Sequence, residues 1–296
     1  MSVKVAEIQQ AFSQSDEAAW VSNLWDKYNN QRRDKIEEWK ELRNYLFATD
    51  TSTTTNSSLP WKNSTTLPKL CQIRDNLHSN YLSALFPNDN WLRWEAYTSE
   101  DALKEKATVI QGYIANKSRE GNLRDVVSQA LYDYIDYGNV FGTTVFESKY
   151  REMDDGELIP SFIGPKGVRI SPLDIVFNPL APSFEDSFKI VRSVKTVGEV
   201  MKLALEEPDN GFWTKALINR EELRAKAGGY TVEDFDKAVG YKADGFGSMH
   251  EYFQSDYMEV LEFFGDYRHV DGELQTDRII TVVDRTYTVR NEVIPS

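Results

Sequence analysis

The sequence predicts an α+β fold, mainly α-helical, and two periodicities predict it. Apolar residues recur every three or four positions through much of the first 135 residues and again after Thr196, as amphipathic helices require. At 143–148, 258–264 and 278–290 they alternate instead, which is the period of half-buried strands. Turn formers, among them Gly138, Asp154-Asp155-Gly156 and Asp271-Gly272, stand between the two kinds of segment.

The first 47 residues read as helical, with Trp20, Leu24, Tyr28, Ile36, Trp39, Tyr45 and Leu46 near helical spacing. Residues 49–58 are rich in Ser, Thr and Asn and predict an exposed loop. Pro68 suits the first turn of a helix whose apolar face is Leu70, Ile73, Leu77, Tyr81 and Leu85, ended at Pro87. Thr98 with Asp101 resembles a capping box for a helix carrying Leu103, Ala107, Ile110, Tyr113 and Ile114. Another helix carries Leu123, Val126, Val127, Ala130, Leu131, Tyr134 and Ile135 and closes at Gly138, where a left-handed cap favours glycine.

The alternation of 143–148, the acidic turn and 158–163 predict a hairpin, with more strand over 168–176 broken by Pro172. Thr196 and Glu199 form a capping box for a helix through Leu203 and Leu205. A second helix spans about 213–227 before Gly228 and Gly229, and a short third starts at Thr231. Residues 241–247 read as a junction, and 258–264 with 278–290 as antiparallel strands around Asp271-Gly272.

The chain carries 34 Lys and Arg against 47 Asp and Glu, a net charge of -13. Such a surface repels phosphate, so tight non-specific binding of nucleic acid is not expected. Cys71 is the only cysteine, which excludes an intrachain disulfide or a multi-cysteine metal site and fits a reducing compartment. The sequons at Asn56, Asn63 and Asn116 then carry no meaning, and the polar start, with Lys4, Glu7, Asp16 and Glu17, is no signal core. No stretch approaches the roughly 20 apolar residues that cross a bilayer, so no membrane partner is expected.

Motifs of chemistry are sparse. Gly164-Pro-Lys-Gly167 lacks the spacing of a phosphate-binding loop, and neither a zinc-peptidase nor a nucleophile-elbow pattern occurs. His78, His250 and His269 are far apart, and His78, beside a helical stripe, reads as a hydrogen-bonded surface or boundary residue. Carboxylates at Asp133, Asp136, Asp154, Asp155 and Asp174 are the set to test for a two-metal nuclease. For each the plainer role is stronger: Asp133 and Asp136 on the polar side of their helix, Asp154 and Asp155 as turn formers. Cys71 suits a small core residue as well as it suits a reactive one. No catalytic, cofactor or metal residue is therefore assigned. Trp61, Phe86, Trp91 and Trp94 crowd one short span, as core or as interface material.

Leu59-Pro-Trp-Lys-Asn-Ser-Thr-Thr-Leu-Pro-Lys-Leu70, Ile73-Arg-Asp-Asn-Leu77 and Leu85-Phe-Pro-Asn-Asp-Asn-Trp91 together resemble the N-terminal region of portal proteins of short-tailed bacteriophages. Tyr132-Asp-Tyr-Ile-Asp-Tyr-Gly138, Ser171-Pro-Leu-Asp-Ile-Val-Phe-Asn-Pro179 with Ala181-Pro-Ser-Phe184, and Val260-Leu-Glu-Phe-Phe-Gly-Asp266 resemble later segments of that family, in its order.

The resemblance implies a non-enzymatic head-to-tail connector at the capsid vertex of the virion, assembled in the host cytoplasm. It implies a homo-oligomeric ring, a dodecamer in the family. Its partners would be the major capsid protein, the packaging terminase, tail adaptors, and double-stranded DNA that passes during packaging and ejection without being gripped. In those terms 1–190 would be a helical wing with a β-hairpin, 191–256 a helical lower wing leading toward the stem, and 257–296 the start of a β-containing clip. The rest of the clip, a second stem helix, a tunnel loop and a crown would follow in such a portal. The alternatives are the nuclease and another head or tail structural protein.

Overall fold

The computed structural model describes residues 16–47, 69–88, 91–95, 97, 100–153, 158–206, 211–227, 255–268 and 273–294. The expected loop at 49–58, Pro68, Trp61, Thr98, the turns at 154–156 and 271–272, the helix from Thr231, the junction at 241–247, His250 and His269 lie outside the described residues. The described part is α+β and mainly helical, with its strands in two antiparallel sheets. It divides into two compact units, one of residues 1–33 with 174–296 and one of residues 34–173.

The first unit is a five-stranded antiparallel sheet in chain order: β3 (Ile175–Phe177), β4 (Lys189–Thr196), β5 (Tyr257–Arg268), β6 (Leu274–Val283) and β7 (Tyr287–Val293). Helix α1 (Glu17–Gln31) lays Ala18, Val21 and Trp25 on one face, against Ile190, Leu261, Phe263, Ile280 and Val282. Helices α6 (Val197–Glu206) and α7 (Phe212–Ala227) bring Val200 and Ala216 to Met258, Val260, Val283 and Val289. Because side chains alternate along a strand, Val260 and Leu261 enter different clusters, and β5 is buried on both faces. Each large apolar side chain so enclosed contributes roughly 1.5–3 kcal/mol.

Charges are buried in this core as pairs. The turn from β6 to β7 places Asp284 (φ 48°) and Arg285 (φ 59°) in the left-handed region, which costs non-glycine residues about 1–3 kcal/mol each. Arg220 of α7 donates to Asp284 at 2.9 Å, and Arg285 donates to both oxygens of Glu259 at 2.6 and 3.0 Å. Arg285 also reaches Asp26 of α1 at 3.1 Å. Nearby, Arg32 donates to the Ile175 carbonyl at 2.6 Å. Burial pushes its guanidinium down to about 10, against the pull of Asp174 and with a further push from Arg192.

The second unit holds α2 (Arg33–Phe47, from its second residue), α3 (Lys69–Leu85), α4 (Asp101–Glu120), α5 (Leu123–Tyr137) and the hairpin of β1 (Phe141–Glu152) and β2 (Leu158–Ile170). Gly138 caps α5 in the left-handed conformation (φ 75°), its N–H bound to the Tyr134 carbonyl at 3.0 Å. Phe162 of β2 is buried and lies under the Lys117 ammonium of α4.

The contacts run across the boundaries drawn from sequence. Residue 190 lies inside β4, which pairs with β3 on one side and β5 on the other, so residues on both sides of that boundary share one sheet. The boundary at 256/257 meets the start of β5, whose partner is again β4. The distribution of apolar residues along the chain does not encode which strands pair, and α1 joins residues far downstream through Trp25 and Val21.

Candidate interaction surface

Helix α3 has two edges, and the polar one is packed. Arg74 makes a fork to Asp136 of α5 at 2.6 and 2.5 Å and lies 4.2 Å from the centre of the Tyr132 ring. Burial works against the Arg74 charge. The hydrogen bond and charge of Asp136, with Tyr132 and Asp75, outweigh it and hold the guanidinium above its ordinary range. One turn on, His78 is stacked on Tyr132 with ring centres 3.8 Å apart, its Nε2 3.0 Å from both the carbonyl and the hydroxyl of Ser128.

Asp133, one turn before Asp136 on α5, is likewise buried and holds Arg169 of β2 in a second fork, with Nη2 to Oδ1 at 2.6 Å. These groups, with Arg43 and Phe47 of α2, line a cavity of about 220 Å³.

The apolar edge of α3 is the one left to solvent. Leu70, Ile73, Leu77, Tyr81 and Leu85 are all exposed, and Leu77, the least accessible, is 40% exposed. The stripe predicted from spacing exists, but it faces outward. On α4, Val109, Ile110 and Tyr113 are exposed as well, as are Val145, Phe146 and Tyr150 on β1. Phe86 and Trp91 pack edge to face at 4.8 Å, while Trp94 is exposed. So many large apolar side chains left in water make these faces the candidate interaction surface.

The other residues singled out from sequence fall as follows. Asp174 is held by Arg192 at 3.1 Å, so each described aspartate of the nuclease set faces an arginine: Asp133, Asp136 and Asp174; Asp154 and Asp155 lie outside the described residues. Among the described residues no group of three or more His, Cys, Asp or Glu is placed to hold a metal ion. Gly164-Pro-Lys-Gly167 is part of β2, where Lys166 pairs with Glu147 at 3.1 Å. Cys71 is half-buried, its Sγ 3.9 Å from Asp75. His78 is hydrogen-bonded as expected but buried rather than at the surface.

No family model matches this sequence, and no curated protein does. Among the described residues no helix is long and apolar enough to cross a membrane.

Sequence reasoning singled out His78 but not the edge of α3 that it forms with Arg74. Its signal was present in a second stripe, Cys71, Arg74, His78 and Leu82, at helical spacing and aligned with the polar edge of α5.

Proposed function

We propose that this chain is a structural subunit of a bacteriophage portal ring, a channel for double-stranded DNA and a docking site for capsid protein, terminase and tail adaptors. One observation carries the reading: α3 and α5 satisfy their polar edges against each other and leave the apolar edge of α3 outside. A solitary globular protein gains from the opposite arrangement, since each leucine left 40–50% exposed forfeits part of the roughly 1.5–3 kcal/mol that full burial gives. A ring subunit covers such an edge with its neighbour.

The acidic balance of 47 carboxylates to 34 basic side chains supports a wall that duplex slides past without counterion release. On this reading the chain has no catalytic residue, cofactor or metal. Negative-stain microscopy of the purified protein tests it. Closed rings of uniform diameter are expected, and particles that stay monomeric at every concentration would refute it. Magnesium- or manganese-dependent cleavage of duplex DNA would favour the nuclease instead.

A further inference from the structure

We infer that strand β1 is an open docking edge whose occupant is β1 of a second copy of this chain, paired antiparallel about Ser148. This goes beyond the ring. A cyclic ring joins unlike surfaces, whereas this contact joins like to like across a two-fold axis.

The two edges of the hairpin are unequal. Strand β2 carries Pro160 and Pro165, and it takes the bulge, because Lys149 and Tyr150 oppose Phe162 and Pro160 with Ser161 left over. Prolines and bulges are what proteins place on strands that must not pair further. Strand β1 has neither, and its residues 142–146 are exposed in succession on both faces and carry no charge. Among the described residues no strand pairs with its outer edge. An uninterrupted edge of this kind presents a row of backbone donors and acceptors whose natural occupant is another extended strand.

The side chains of β1 select its own copy. Antiparallel pairing centred on Ser148 sets Glu147 opposite Lys149 of the second copy and Phe146 opposite Tyr150, each occurring twice across the axis. Val145 then faces the long stem of Arg151. Phe146 and Tyr150 are 73% and 58% exposed, so their contact would bury much of what the single chain leaves in water. Shifting the centre to residue 147 sets Glu147 against itself, which like-charge repulsion disfavours. Glu147 already accepts from Lys149 at 3.0 Å within its own strand, so the charges stand ready at the edge.

The test uses the full chain in a Cys71→Ser background, with single cysteines at Ser148 or Thr144, oxidised in dilute solution and separated on a non-reducing gel. Residues directly opposed in an antiparallel pair lie about 4.5–5.5 Å apart, within disulfide reach, so Ser148→Cys links to itself. Thr144→Cys lies eight positions from its own copy, roughly 26 Å along the strand, and does not. In the Ser148→Cys chain, Glu147→Lys lowers the linked yield about tenfold, and adding Lys149→Glu restores it. Circular dichroism confirms that each variant is folded. The inference is overturned if folded Ser148→Cys links no better than Thr144→Cys, or if the charge swap fails to restore a yield that Glu147→Lys has removed. Rings are scored separately by microscopy, so either idea can fail while the other stands.

Discussion

Arg285 grips Glu259 through two hydrogen bonds at 2.6 and 3.0 Å, and both side chains are 3% exposed. The next residue back, Asp284, is held from α7 by Arg220, so a two-residue turn is tied to a helix and to the centre of the sheet. Removing Glu259 leaves the buried Arg285 with Asp26, itself 40% exposed, to offset its charge. Glu259→Gln is expected to destabilise the first unit by about 3–5 kcal/mol, read as a lowered urea midpoint. Replacing both residues, as Glu259→Met with Arg285→Met, is expected to cost much less than the sum of the single changes. Additive losses would contradict the pairing.

Gly265 of β5 sits at φ 145°, and a Cβ there would stand 3.0 Å from the Cβ and 3.2 Å from the Cα of Phe188. The nearest atoms are at or next to backbone and cannot swing aside. Gly265→Ala is therefore expected to lower stability by about 1–3 kcal/mol, measured by thermal or urea unfolding. An unchanged midpoint would contradict the packing of Phe188 against β5.

Thr196 and Glu199 cap α6 reciprocally: the Glu199 N–H donates to the Thr196 hydroxyl at 3.2 Å, and the Thr196 N–H donates to the Glu199 carboxylate at 2.8 Å. Thr196→Ala is expected to cost about 1 kcal/mol. The backbone hydrogen bond from Thr196 holds the Glu199 carboxyl below its ordinary 4.5, with Lys195 and Lys202 assisting. A carboxyl depressed in the folded state stabilises it above the ordinary value, and that stabilisation is lost as pH falls through the lowered one. The Thr196 amide resonance should titrate with a midpoint below 4.5 and stop titrating in Glu199→Gln. A midpoint at or above 4.5 would count against the cap.

If the outward edge of α3 packs against a neighbour, charging it blocks assembly and spares the fold. Ile73→Glu with Leu77→Glu is expected to abolish rings in micrographs while the circular dichroism spectrum is retained, because both side chains are exposed in the single chain. Rings formed by that variant would move the interface elsewhere.

The local grammar was legible in the sequence. The capping box at Thr196 and the glycine cap at Gly138 signal through neighbours a few positions away, and both are present, whereas β5 is a strand as expected but buried on both faces instead of alternating. The direction in which α3 faces was not legible. An apolar stripe normally points inward, and what turns it outward is the pairing of Arg74 with Asp136, 62 positions along the chain. The partners of Asp133 and Asp174 were hidden for the same reason, since Arg169 and Arg192 come from other elements. The turn at Asp284 and Arg285 was missed because neither residue is a glycine or asparagine. Asp284 is a turn former by type, and ion pairs from the turn to α7 and β5 add to the hold on its left-handed backbone.

The second unit is inserted within the first, and this orders events during synthesis. Ser22 of α1 donates to the carbonyl of Arg285, 263 positions later. At about 5–20 residues per second, that partner follows roughly 13–50 s behind. Until β3 and β4 are made Val21 and Trp25 have nothing to rest on, and their cluster stays incomplete until β6 follows, while the inserted segment, already complete, is able to collapse. The emerging amino end is thus the stretch most in need of a holding chaperone, and losing β6 or β7 would strand it permanently.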